Sequence, residues 1–188
     1  MLRELLQKTK LFSLLYRIDK DLAAQHRSKR CSYCAGPLHQ ANYPRKPRGG
    51  PADLPEEYMI RHSLCCGRDG CRRRSLPPSC LFMDRRVYWS VVILVVMTLR
   101  QKRLQGDSTK RLMRMFMINR KTLFRWIEYF REVFPHTEHW QSLRGQISGL
   151  VKNTYLPGDF VEYCLHKAVS PMMGLIHCLE LLARGMPQ

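Results

Sequence analysis

Apolar residues recur near helical spacing at the beginning of the chain. Leucines and an isoleucine are separated by basic residues between Leu2 and Ile18, which predicts one amphipathic helix over residues 1–28. An apolar stripe of this kind favours a helix that packs on the rest of the fold over a dimerisation or partner helix.

The most apolar stretch covers residues 87–99, with the sequence VYWSVVILVVMTL. It lies between Arg86 and Arg100, and it is too short for a membrane-spanning helix, which needs about 20 residues. Its β-branched residues favour a strand, whereas its length and the basic residues after Leu99 favour a helix. We predict a helix buried in the core and no membrane partner.

Residues 107–134 have the pattern of two helices joined by a tight turn. Asp107 or Ser108 can cap a short helix that ends at Phe116, residues 117–119 form the turn, and Asn119 can cap a longer helix over residues 120–134. One apolar stripe runs along the longer helix: Leu123, Trp126, Ile127, Phe130 and Phe134. The opposite face is basic. This outline is typical of a helix-turn-helix, although an ordinary helical hairpin has the same pattern.

The last segment, residues 146–188, is less regular. A turn at residues 156–159 precedes two predicted helices, over residues 160–169 and 171–184. Their apolar residues indicate packing or self-association.

Cysteines at metal-ligand spacing mark residues 29–86. The first pair is a C-x-x-C in CSYCAGPL, and the second group lies in LCCGRDGCRRR. Together they offer the four ligands of a tetrahedral zinc site: Cys31, Cys34, Cys66 and Cys71. Cys65 competes with Cys66, because adjacent residues seldom both face one small ion.

A zinc-ribbon-like module follows from these ligands, with a strand over residues 58–64 leading into the second cysteine group. His62 is a substitute ligand, while Cys80, Cys164 and Cys178 have no partner at ligand spacing and are assigned to the core. No secretory signal is apparent, which favours metal-bound thiolates in a reducing compartment over disulfides.

Charge indicates the class of partner. The chain has a formal net charge of +17, all of it in the first 150 residues, since residues 151–188 are neutral. A chain this basic attracts polyphosphate, so DNA or RNA is the expected partner, with a solvated basic surface as the alternative.

The basic residues expected to contact DNA fall in three groups. They lie in the Pro- and Gly-rich loop, directly after the second cysteine group, and at the beginning of the longer helix: Arg45 and Lys46; Arg72, Arg73 and Arg74; Arg120, Lys121, Thr122 and Arg125. The first two groups would hold phosphates, and the third would approach base edges or adjacent phosphates.

Catalysis is not expected. No metalloprotease, deaminase, P-loop or serine-hydrolase motif occurs in the sequence. A zinc ion with four protein ligands has no open position for water, so the predicted zinc is structural.

The order of these features resembles a known family. A cysteine group ending in CRRR, a long apolar helix and the segment TKRLMRMFMINRKTLFRWIEYF are similar to the N-terminal part of insertion-sequence transposases. That part carries a zinc ribbon followed by a helix-turn-helix. Small bacterial proteins linked to mobile elements have the same order. The resemblance covers residues 29–145 and lacks the acidic catalytic domain that follows in transposases.

Taken together, the sequence predicts a mainly α fold with a small zinc-ribbon β module and a helix-turn-helix in the C-terminal half. The predicted units are an N-terminal helix (1–28), the zinc module (29–86), a helix-turn-helix domain (87–145) and a C-terminal helical segment (146–188). We expect a cytoplasmic duplex DNA-binding protein without catalysis, nucleoid-associated if it is bacterial, and linked to a mobile element as a transposition accessory or regulator. The alternatives are a docking subunit of a larger nucleoprotein complex, in partnership with a larger protein or as a homodimer, and an RNA-binding module.

Overall fold

The protein is mainly helical, with small antiparallel sheets inserted near its N-terminal third. The computed structural model describes residues 2–83, 86–102, 109–147 and 151–184. The helices are α1 (Leu2–Leu5), α2 (Thr9–Arg27), α3 (Ser90–Lys102), α4 (Thr109–Met115), α5 (Arg120–Glu128), α6 (Glu138–Arg144), α7 (Gly158–Lys167) and α8 (Pro171–Arg184). The strands are β1 (Leu38–Gln40), β2 (Tyr43–Pro44), β3 (Ile60–Arg61), β4 (Leu64–Cys66) and β5 (Arg74–Ser75).

Helix α3 is the centre of the core. Every side chain from Val91 to Leu99 is buried, and α3 packs against α4, α5, α7 and α8. Its buried Thr98 hydroxyl donates to the Leu94 carbonyl at 2.8 Å, so the one polar group in the stretch is satisfied within the helix. The predicted buried helix is confirmed, because at this position burial on all sides outweighs the strand preference of β-branched residues. None of the described helices is both long and apolar enough to cross a membrane.

The N-terminal helix packs inside the fold, as predicted, but it is broken. Residues 6–8 separate α1 from α2, so a single helix over residues 1–28 is wrong. Leu6, Leu11, Phe12 and Leu15 are completely buried. The break lets Leu6 enter the core together with the buried face of α2.

A buried carboxylate connects α2 to the chain that leads into α3. Asp19 accepts a short hydrogen bond from the Ser79 hydroxyl and bonds from the backbone N–H groups of Cys80 at 2.6 Å and Leu81 at 3.4 Å. Burial raises the pKa of Asp19 to about 6, and these hydrogen bonds and the charge of Arg61 oppose the rise only in part. The carboxylate therefore ties together two segments sixty residues apart.

The segment that was predicted as a single strand contributes to two different sheets. One strand over residues 58–64 is wrong: Glu56–Met59 is a 3-10 turn, and the chain then changes sheets between β3 and β4. Strand β3 pairs with β2, while β4 lies between β1 and β5. The change of sheet is held by Ser63, whose N–H donates to the Asn42 side chain at 3.1 Å.

Helices α4 and α5 are joined by a tight turn, and α5 is shorter than predicted. Met117, in the turn, has a φ of +50°, and its carbonyl accepts from the Tyr88 hydroxyl at 2.7 Å. Asn119 caps α5 by accepting from the Lys121 N–H at 2.8 Å, as expected. The predicted cap at Asp107 or Ser108 lies outside the described residues.

A helix over residues 120–134 is wrong beyond Glu128. The chain continues as a π-helical turn (Tyr129–Val133) and a 3-10 turn (Phe134–His136). Pro135 has no N–H for a continuing helix. The wider turn keeps both Phe130 and Phe134 buried, with their rings 5.7 Å apart.

The C-terminal helices complete the core. Helix α6 was not predicted, and its N-terminus is capped by the Thr137 hydroxyl, which accepts from the Trp140 N–H at 3.2 Å. Helix α7 begins and ends two residues before the predicted 160–169, and α8 covers the predicted residues 171–184. Gly174 allows α8 to lie directly on α7, since a Cβ there would be 2.7 Å from the Leu165 Cα.

We expect the Asp19→Asn variant to lose a pH dependence of stability. The folded-state pKa of about 6 lies above the ordinary 3.8, so the folded state binds the proton more tightly than the unfolded state. The stabilising contribution of this group is complete below pH 3.8 and is lost as the pH rises through 6. We expect the wild type to lose about 3 kcal/mol of its free energy of unfolding through this group as the pH rises.

Urea unfolding of both proteins between pH 4 and pH 7.5 measures this. The wild-type free energy of unfolding should fall relative to that of the variant as pH rises, since every other titrating group is shared. Parallel pH profiles would show that Asp19 is not held at a raised pKa.

Candidate metal centre

Four cysteine sulfurs from two separate turns meet at one point. The Sγ atoms of Cys31, Cys34, Cys66 and Cys71 lie within 4.8 Å of one another. Cys31 and Cys66 are buried, and the other two are half-buried. The four cysteines therefore lie close enough to hold a metal ion, and they are the four that the sequence spacing singled out.

The distances between the sulfurs fit a tetrahedral ion. Cys31 Sγ is 3.8 Å from Cys71 Sγ, and Cys34 Sγ is 3.4 Å from Cys66 Sγ. Four sulfurs at the usual Zn–S bond length of about 2.3 Å stand about 3.8 Å apart at the corners of a tetrahedron. A tetrahedral set of thiolates suits zinc or an iron–sulfur centre. The donor set and the spacing fit such a metal without a large movement of the chain.

Hydrogen bonds between the two cysteine groups hold them in register. The Gly67 N–H donates to the Pro37 carbonyl at 2.9 Å, and the Arg68 guanidinium donates to the Cys34 carbonyl at 3.0 Å. In the sheet, Leu38 of β1 pairs with Cys66 of β4. The small core below the sulfurs contains just four buried residues of the described chain, two of which are the ligand candidates Cys31 and Cys66.

Each cysteine group ends in a left-handed residue. Ala35 follows Cys34 with a φ of +55°, and Arg72 follows Cys71 with a φ of +46°. Non-glycine residues rarely adopt this conformation, which costs about 1–2 kcal/mol. Two matching strained turns beside the same cluster indicate that the position of the sulfurs dictates the backbone there.

Gly36 is a site residue that the sequence reasoning missed. A Cβ at this position would lie 2.9 Å from Cys66 Sγ and 3.3 Å from Cys34 Sγ. The absence of a side chain therefore makes room for the sulfurs. The signal in the sequence was a glycine two residues after a C-x-x-C, which is too common to be decisive.

The pKa values of the two buried cysteines of the cluster, Cys31 and Cys66, are shifted in opposite directions. The N–H groups of Tyr33 and Cys34 lower the pKa of Cys31 to about 7. At Cys66 the Arg68 N–H acts in the same direction, but burial and the neighbouring thiols raise the pKa to about 12. A metal ion would replace the remaining protons, so its affinity must fall as the pH falls.

Strand geometry separates Cys65 from Cys66. Successive side chains of a strand point to opposite faces. In β4, Cys66 and Leu64 face the small core, while the half-buried Cys65 Sγ is 3.3 Å from the Arg72 carbonyl. Cys66, and not Cys65, therefore lies with the sulfurs of Cys31, Cys34 and Cys71.

The remaining cysteines and His62 lie outside the cluster. His62 is half-buried, and its ring lies 6.5 Å from that of Tyr16. Cys80, Cys164 and Cys178 are fully buried, as expected for core thiols.

The three arginines after Cys71 have different surroundings. Arg72 pairs with Asp69 at 2.9 Å, and both side chains are exposed. The Arg73 guanidinium lies 3.6 Å from the centre of the Tyr33 ring, and that of Arg74 lies 5.5 Å from the ring of Tyr43. The sequence analysis assigned the three arginines one shared role, but in the structure each contacts a different partner.

The basic loop is partly tied into the fold. Arg45 is half-buried, donates to the Arg86 carbonyl at 2.7 Å and lies over the Phe82 ring, so much of its function is structural. Lys46 is exposed. Exposed Arg48 lines a surface groove with Lys110 and other residues of α4 and the following turn.

The candidate residues on α5 lie on one side of a half-buried helix. Arg120, Lys121 and Arg125 are exposed and Thr122 is half-buried, whereas Leu123 and Trp126 of the same helix are buried. Phe124 was missed: its ring is 54% exposed and lies 5.4 Å from the Arg120 guanidinium. Its place on the polar side of the helix was the signal that could have found it.

Replacing Cys66 and Cys65 by serine should separate a ligand from its neighbour. We expect the wild type and Cys65→Ser to carry one zinc ion per chain, and Cys66→Ser to bind zinc at least 100-fold more weakly, about 2.7 kcal/mol. Elemental mass spectrometry and competition with a chelator measure content and affinity. Equal zinc loss in both variants would contradict the assignment of Cys66, and a zinc-free wild type would contradict the site itself.

Comparisons with known protein families, curated proteins and solved structures identify no relative of this chain. No protein-family model matches the chain, and neither a curated protein nor a solved structure is significantly similar to it. The resemblance to the N-terminal part of insertion-sequence transposases therefore stays a prediction.

Proposed function

We propose that this protein binds duplex DNA without catalysis, with α4 and α5 as a helix-turn-helix and a zinc ion that braces the β module as a zinc ribbon. The observation that carries the proposal is the exposed basic side of α5. Arg120 and Lys121 occupy its first turn, next to the capping Asn119. In a helix-turn-helix, the N-terminal residues of the second helix enter the major groove.

The length of the turn between α4 and α5 and the burial of their apolar faces support this assignment. Four residues, 116–119, separate α4 from α5, which is the length of turn that a helix-turn-helix uses. Leu112 of α4 and Leu123 and Trp126 of α5 are buried against the core, so the exposed side is presented on a rigid support. Phe124 adds an apolar surface of the kind that contacts thymine methyl groups.

A second basic element lies beside the turn. The groove lined by Arg48 of the loop also contains Lys110 and Arg114 of α4 and Asn119 of the cap. Phosphate contacts of this sort set the orientation of a protein on the duplex without reading sequence. The rest of the groove is lined by Met113, Met117 and Ile118, so the three cations of the loop and α4 surround an apolar floor next to the turn.

Zinc would supply structural chemistry alone. With four thiolate ligands it would have no open position for a water molecule or a substrate. The proposal therefore assigns no catalytic residue. A role linked to a mobile element rests on the resemblance of residues 29–145 alone.

A docking role is the second candidate. The apolar faces of α2 and α8, through which a larger partner was expected to bind, are buried within the chain itself. Exposed apolar side chains near the proposed DNA face, Met115, Met117 and Phe124, favour a protein contact there instead. RNA binding remains an outcome of the experiment below.

Charge removal on α5 tests the proposal. We expect wild-type protein to bind a labelled random duplex with an affinity that falls steeply with salt. The variant Arg120→Ala/Lys121→Ala/Arg125→Ala should bind more weakly, with the slope of log K against log salt reduced by about 3. Fluorescence anisotropy with duplex DNA, single-stranded DNA and duplex RNA across a salt series measures both quantities.

A matched control removes the same charge elsewhere. Lys8, Lys10 and Arg17 are exposed at the N-terminal helices, so Lys8→Ala/Lys10→Ala/Arg17→Ala should leave the slope nearly unchanged. Equal effects of the two triple variants would show that DNA binding depends on the net charge of the protein and not on the position of α5. An absence of salt-dependent binding by the wild type would contradict the proposed function. A preference for duplex RNA would show that RNA, and not DNA, is the ligand.

A further inference from the structure

A basic pocket opens beside the sulfur cluster. It has a volume of about 240 Å³ and lies between the C-terminal end of α2, the first cysteine turn and β5. Its polar and charged lining is His26, Lys29, Arg30, Ser32, Tyr33, Arg73, Arg74 and Ser75. We propose that this pocket binds a phosphoryl group.

The charges around the pocket are one-sided. Lys29, Arg30, Arg73 and Arg74 supply four cations, and no acidic side chain occurs among the described residues that line it. The neighbouring zinc with four thiolates would carry a net charge of −2. Two cations suffice to balance that charge, which leaves two for a phosphate diester or monoester.

An ordered inner wall and an exposed aromatic ring accompany the cations. His26 Nε2 and Ser75 Oγ are 2.7 Å apart, which orders the inner wall. Burial, and secondarily the charge of Lys29, lower the pKa of His26, in agreement with a positive local field. At the mouth, the Arg73 guanidinium lies on the Tyr33 ring, which is 68% exposed. Stacking of this kind holds the guanidinium plane in one orientation, as bidentate recognition of a phosphate requires.

The metal cluster builds two walls of the pocket. Cys31 itself lines it, Tyr33 belongs to the turn between Cys31 and Cys34, and Arg73 follows Cys71 by two residues. The geometry thus places the phosphoryl site under the control of the metal. In a DNA complex the pocket would take a backbone or terminal phosphate, and this source of the ligand rests on the proposed function.

Titration with inorganic phosphate tests the pocket itself. NMR of ¹⁵N-labelled, zinc-loaded protein should show saturable shifts of the amides of Ser32, Tyr33 and residues 73–75, beyond those in chloride of equal ionic strength. Arg73→Ala/Arg74→Ala should bind phosphate at least tenfold more weakly. Arg72→Ala should bind like the wild type, because Arg72 pairs with Asp69 and does not line the pocket.

A second variant guards against a damaged metal site. Lys29→Ala/Arg30→Ala lies before the first cysteine, and we expect the same loss of phosphate binding with an unchanged zinc content. Shifts that do not saturate in the wild type, or that persist in both double variants, would overturn the proposal and leave these cations with the role of balancing the thiolates.

The duplex-binding assay identifies the source of the phosphate. If the pocket holds DNA, both double variants weaken duplex binding, while Lys8→Ala/Lys10→Ala, which removes two exposed charges at the N-terminal helices, does not. Phosphate binding with unchanged duplex affinity would overturn the DNA source and leave a site for a free phosphate or nucleotide. Phosphate binding by a wild type that binds no nucleic acid would overturn the proposed function while the pocket stands.

Discussion

Four thiol groups within 4.8 Å of one another are the constraint on which the β module depends. The sulfurs come from two turns: Cys34 and Cys66 are 32 residues apart along the chain, and Cys31 and Cys71 are 40 residues apart. Below them, the apolar side chains of Leu38 and Leu64 complete the small core, and these bury far too little surface to order such a loop-rich segment. A cation that exchanges for the thiol protons would balance the charge of the resulting thiolates and close the loop at the same time.

The basic pocket is arranged around that constraint. The cysteine turns place Tyr33 under Arg73 and set β5 against the end of α2, where the pocket lies. The three consecutive arginines consequently differ in their surroundings: Arg72 pairs with Asp69 at the surface, while Arg73 and Arg74 line the pocket.

A second constraint joins the module to the helices. Asp19 binds the chain at Ser79 and Cys80, directly between β5 and α3. Because α2 also packs on β1 and α8, this helix transmits the position of the sheet to the helical core. The candidate DNA face on α5 rests on α3, and the pocket beside the cysteines lies at the end of α2.

Much of this organisation was readable from residue types and spacing. The cysteine intervals identified the four sulfurs, the apolar run predicted α3, and Asn119 predicted the beginning of α5, because ligand spacing, burial and capping are local properties. The break before α2, the π-helical turn after Glu128 and helix α6 were not readable, since each depends on which side chains the distant core must accommodate. The same holds for the three arginines and the pocket. Sequence alone determined which residue types are available for metal and phosphate, whereas the tertiary structure decided which of them face each other, because contacts between segments far apart in the chain have no signature in local order.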